Sequence, residues 1–127
     1  MTSKTRPAPL LLLALLTTAP GLVNGFDLSF LDQAPLRFLT EADTRLLEAT
    51  IGDVLAHAAD GEGRSWTGAE SGNSGTVTAV KSFVKNGLRC RRIEVVTSAR
   101  KATMGGGRSQ ADLCDIDGEW KILRLPQ

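Results

Sequence analysis

Cys90 and Cys114 are the only cysteines in this 127-residue chain. Each lies in a β-rich stretch, so the chain must turn back between them. If the two face each other on antiparallel neighbours, the pairing centre falls at residue 102, inside a connection formed by residues 101–108. Directly opposed residues bring their Cβ atoms to about 4.5–5.5 Å, closer at non-hydrogen-bonded positions. A disulfide needs about 3.5–4.5 Å. Pairing, turn placement and covalent chemistry therefore agree. The bond closes a loop of roughly 25 residues, worth about 3–4 kcal/mol in the chain-entropy model. Gly105-Gly106-Gly107 sits slightly past the centre, which predicts a bulge or an asymmetric loop there. The rival uses of two cysteines are a metal site and a redox pair. Zinc needs four ligands at characteristic spacings, and the redox pair needs close CxxC spacing; neither is present.

A structural disulfide belongs to an oxidising compartment, and the N-terminus supplies a route there. Lys4 and Arg6 make a basic start, residues 10–16 are apolar, and Val23-Asn24-Gly25 ends in small-residue style. This is the pattern of a secretory leader covering residues 1–25, with cleavage before Phe26. The apolar stretch carries Pro20 and Gly21 and is shorter than the roughly 20 residues a spanning helix needs. The leader holds two bases and no acid, so its removal takes the formal net charge from +1 to −1. Near-neutrality excludes a general electrostatic affinity for nucleic acid. About 100 residues remain, enough for one domain with a modest core.

Residues 26–39 form an apolar, proline-interrupted lead-in with Phe26, Phe30 and Phe38. These rings either pack onto the domain or form an arm that docks on a partner or a membrane surface. Residues 40–59 predict the helix. Thr40 suits the N-cap, Glu41 and Asp43 suit the first turn, and Leu47, Ile51, Val54, Leu55 and Ala58 make one apolar stripe. Asp60-Gly61 stops it.

From there the pattern is β. A short strand is expected around residues 65–68, then four main strands at 76–85, 88–98, 109–116 and 119–125. Asn86-Gly87 and Asp117-Gly118 are two-residue hairpin signals. The expected fold class is α+β: one N-terminal helix packed on an antiparallel meander of four main strands, with one disulfide. The domain spans residues 40–127.

Chemistry is sparse. His57 is the only histidine and falls on the flank of the helical stripe. Asp115, Asp117 and Glu119 cluster at the last turn but lack the ligand series of a calcium loop. Ser71-Gly72-Asn73-Ser74-Gly75 is neither a nucleophile elbow nor a phosphate loop. Arg89, Arg91 and Arg92 form a short basic run in which Arg89 and Arg91 share one strand face and Arg92 joins Cys90 on the other. Such forks grip carboxylates or phosphates, or they pair with nearby acids on a solvated face. No catalytic residue, metal ligand or cofactor site is expected.

Trp66, Ser71-Gly72-Asn73-Ser74-Gly75-Thr76-Val77-Thr78, Asn86-Gly87-Leu88-Arg89-Cys90-Arg91 and Cys114-Asp115-Ile116-Asp117-Gly118-Glu119-Trp120-Lys121-Ile122 stand in one order and spacing. Together they resemble the C-terminal outer-membrane antigen domain of the bacterial 17 kDa surface antigen family. The resemblance covers roughly residues 64–122. It implies a small envelope domain whose two cysteines are disulfide-bonded, and it brings no catalytic residues. The chain departs from the family in three ways. It has no lipidation cysteine and no glycine-rich membrane-associating segment before the domain, and it carries Asp115 where the family tends to have arginine.

The expected function is a non-enzymatic exported cell-envelope module, in the periplasm or at the periphery of the outer membrane. Its partner would be an envelope protein, complex or component, with membrane contact at most peripheral. The candidate contacts are Phe30, Phe38, Asn73, Arg89 and Arg91. The alternatives are a structural accessory subunit of an envelope complex and a small periplasmic hydrolase using His57 or the acids Asp115 and Asp117.

Overall fold

The structure, a computed structural model, describes residues 28–31, 33–101 and 106–124. The expected leader lies outside them, as does Phe26.

The helix forms where its cap and stripe require. Helix α2 spans Glu41–His57, two residues shorter at its C-terminal end than the stop signal suggested. Thr40 is the N-cap. Its hydroxyl accepts from the Asp43 N–H, and the Asp43 carboxylate accepts from the Thr40 N–H, both at 3.1 Å. This reciprocal capping box satisfies donors that a helix N-terminus otherwise leaves open. Ala58 closes the other end with its N–H on Val54 O. Leu47, Ile51, Val54 and Leu55 are fully buried, and each such side chain contributes about 1.5–3 kcal/mol.

The sheet has five strands rather than four. They are β1 (Gly63–Thr67), β2 (Ser74–Lys85), β3 (Leu88–Ser98), β4 (Gly106–Ile116) and β5 (Glu119–Arg124), in the order β1-β2-β3-β4-β5 with every pair antiparallel. The short stretch around residue 65 is thus a full member of the meander. Its surrounding glycines fall at the strand's ends or beside it, and Trp66 anchors it in the core.

Both hairpin signals are honoured. Asn86 and Gly87 have φ of 51° and 77°, and Asp117 and Gly118 have 55° and 86°. Left-handed backbone at both central positions matches the twist of the flanking strands. Cys90 faces Cys114, and the register runs without a shift from there to Ser98 and Gly106. The expected asymmetry near the glycines is therefore absent from the described pairing, because Gly106 and Gly107 are absorbed into β4. The shifts lie elsewhere, between Ala79 and Lys81 in β2 and between Asp112 and Leu113 in β4.

One face of the sheet carries the core. Val77, Ala79, Ile93, Val95, Ala111 and Leu113 point to it and meet the stripe of α2. The helix covers the β1–β2 half. The lead-in covers the other half: a 3-10 turn (Leu28–Phe30) and helix α1 (Gln33–Leu36) pack over β3 and β4. Leu31 enters the core, with Leu28, Phe30, Leu36 and Leu39 against it. Here the packing alternative for the lead-in describes the arrangement, since each apolar side chain set on the sheet removes surface from water that the short α2 cannot cover.

Candidate functional site

Asn73 and Arg91 both turn inward. Asn73 is 3% exposed. Its amide donates to Phe38 O and to Asp43 Oδ2, both at 2.9 Å, and its oxygen accepts from the Arg100 N–H at 2.8 Å. Asp43, 1% exposed, also accepts from the Ser71 hydroxyl at 2.8 Å. Burial pushes the Asp43 carboxyl up. The hydrogen bonds from the Thr40 backbone, Asn73, Ser71 and the Thr40 side chain outweigh it and hold the group below the ordinary carboxylate range. Thr40, Asp43, Ser71 and Asn73 thus lock the start of α2 to the β1–β2 connection. Asn73 serves the fold here and is not offered to a partner.

Arg91 departs in the same way from the partner-facing role proposed for it. Its face of β3 is the core face, beneath the end of α2. The guanidinium donates to Val54 O at 2.8 Å, Leu55 O at 3.2 Å, Ser82 Oγ at 3.1 Å and Asp60 Oδ1 at 3.0 Å. It caps carbonyls of the last helical turn, sharing Val54 O with the Ala58 N–H. Asp60 also accepts from the Ser82 N–H and hydroxyl. Hydrogen bonds from Ser82 and then Arg91 hold the Asp60 carboxyl below its usual value. Arg92, on the opposite face beside Cys90, forms a bidentate pair with Asp112 at 2.7 and 3.0 Å. The basic run therefore divides into two internally paired arginines and one, Arg89, that is exposed.

Arg89 lines a groove of about 540 Å³ between the last turn of α2 and the far end of the sheet. His57 and Asp60 stand on the helix side, and Ser82, Val84 and Trp120 on the sheet side. Val84 is 71% exposed. The groove is open to solvent and mixes charge with apolar surface. Among the described residues, no group of three or more His, Cys, Asp or Glu side chains is gathered as a metal site would need. Asp115 accepts from the Gly118 N–H at 2.9 Å and so shapes its own turn.

The remaining sequence candidates are dispersed. Phe30 is half-buried against the core, and Phe38 is 41% exposed at the end of the lead-in. Cys90 and Cys114 are disulfide-bonded, with a Cα–Cα distance of 4.0 Å, the narrow spacing of a non-hydrogen-bonded pair. Sequence reasoning missed the groove, although one signal was legible: no acid occurs from residue 71 to residue 93.

No family model matches this chain, and neither a curated protein nor a solved structure does. The residues that carry the surface-antigen resemblance have structural duties: Trp66 in the core, Ser71 and Asn73 in the lock, two hairpin turns and a disulfide.

Proposed function

We propose that this chain is an exported, non-enzymatic cell-envelope module that binds a protein partner. The groove beside Arg89 carries the reading. It exposes a valine and an arginine that makes no ion pair among the described residues, Trp120 lines it as well, and its acid, Asp60, is held by Arg91 and Ser82. That composition suits docking. Export is supported by the disulfide, which an oxidising compartment sustains, and by the leader pattern. The resemblance to the surface antigen domain favours the periplasm or the outer-membrane periphery. Among the described residues, no helix is long and apolar enough to cross a membrane. Phe38, exposed at the other end of the molecule, is a second contact.

The test is gentle purification of the C-terminally tagged protein from its native envelope, with mass spectrometry of what accompanies it. A reproducible stoichiometric companion, lost in an Arg89→Glu variant that keeps its thermal stability, is the expected result. A lone protein that turns over a cell-wall, peptide or phosphoester substrate, with activity lost in His57→Ala, would overturn the reading in favour of a hydrolase.

A further inference from the structure

Strand β2 is twice as long as its neighbour β1 can cover. Their pairing ends at Gly63 and Thr78. Beyond it, Ala79 bonds to residues 61 and 62, and the Ser82 N–H bonds to the Asp60 carboxylate. Two residues further, backbone alternation aims the N–H and C=O of Val84 the same way as the Ser82 N–H, with no strand beside them among the described residues. The bulge between Ala79 and Lys81 turns this half of β2 away from β1.

The surroundings of this edge have one sign. Lys81, Lys85 and Arg89 are exposed and make no ion pair among the described residues, Lys81 lying over the Phe83 ring at 5.5 Å. The adjacent acid, Asp60, is committed to Ser82 and Arg91. The acidic β4–β5 turn lies on the far side of β3.

On the strength of the binding-module reading, we infer that the open edge of β2 at Val84, with its groove, accepts an extended acidic segment of a partner protein, which adds as a sixth strand. Only an extended chain can satisfy both the N–H and the C=O of Val84. An open groove does not enclose a small molecule. A second copy is disfavoured, because an antiparallel pairing of the edge with itself about Phe83 sets Lys81 of one copy against Lys85 of the other. Apolar side chains at alternate positions of the segment would lie on the Val84 face, and the carboxylates between them would meet Lys81 and Lys85 on the other face.

The test is amide NMR of the purified, disulfide-bonded protein. It is titrated with a blocked ten-residue peptide alternating glutamate and valine, its lysine–valine counterpart, and phosphatidylglycerol vesicles. The acidic peptide should shift the amides of Val84 and Lys85. A Lys81→Glu/Lys85→Glu variant should bind it about tenfold more weakly. Val84→Pro removes the edge N–H without touching the β3 ladder and should cost about fivefold. Should that variant fail to fold, the charge variant carries the test. The inference falls if the acidic peptide leaves β2 unmoved at millimolar concentration, if the basic peptide binds equally, if the charge variant binds as well as wild type, or if vesicles bind in preference to the peptide. A companion that co-purifies and docks elsewhere would end this inference and leave the binding-module reading standing.

Discussion

Removing the Asp43 carboxylate is the sharpest perturbation the fold allows. It accepts from the Thr40 N–H, the Ser71 hydroxyl and the Asn73 amide at 3.1, 2.8 and 2.9 Å. Hydrogen bonds to a charged group are worth about 1.5–3 kcal/mol each, and donors stranded in a buried site add their desolvation cost. The three act as one network and do not add fully. Asp43→Ala should therefore cost about 3–5 kcal/mol, a large share of the 5–15 kcal/mol that stabilises a typical domain. At about 4–8 °C per kcal/mol, the melting temperature should drop by roughly 12–40 °C. Asp43→Asn keeps an acceptor and the shape, and should cost about 1–2 kcal/mol.

The assay is urea unfolding of the oxidised protein, followed by tryptophan fluorescence and far-ultraviolet circular dichroism. Its pH dependence tests the same carboxylate. The folded group titrates below its unfolded value, so its stabilisation is complete above about pH 4 and is lost as pH falls through the folded value. Wild type should lose stability on acidification more steeply than Asp43→Asn. Asp60, shifted in the same direction, supplies a slope common to both. An Asp43→Ala variant within about 1 kcal/mol of wild type would refute the lock, because ordinary surface changes fall in that range.

Other expectations can be checked by the same unfolding assay. Replacing both cysteines with alanine should cost about 3–4 kcal/mol at the observed separation of 24 residues. Gly75→Ala should cost more than about 2 kcal/mol. A Cβ there would come within 2.5 Å of Trp66 Nε1 and 2.7 Å of the Val96 backbone oxygen, and the backbone cannot yield; unchanged stability would mean that Trp66 is free to move. Arg91→Leu should cost about 2–3 kcal/mol by removing the guanidinium from Leu55 O, Asp60 and its shared place on Val54 O. Because Arg92 faces the opposite way, Arg92→Leu should be milder.

The sequence by itself determined what is local or fixed by counting. A cap followed by an apolar stripe specifies α2, because both lie within one continuous segment. Asn86-Gly87 and Asp117-Gly118 specify their turns, because few residues tolerate left-handed backbone. The disulfide specifies the β3–β4 register, because only directly opposed residues come close enough. Tertiary structure decided which strand face became the inside and what waited there. Alternation along β3 separates Arg91 from Arg92, but it cannot reveal that Arg91 would cap helix carbonyls 36 and 37 residues earlier in the chain. Asn73 read as a loop residue; its burial depends on Asp43, Phe38 and Arg100, which meet only once α2 packs on the sheet. The groove has the same origin: the bulge after Ala79 and the early end of β1 leave Val84 uncovered, and neither has a local signature, since each reflects where the helix and strands run out of partners.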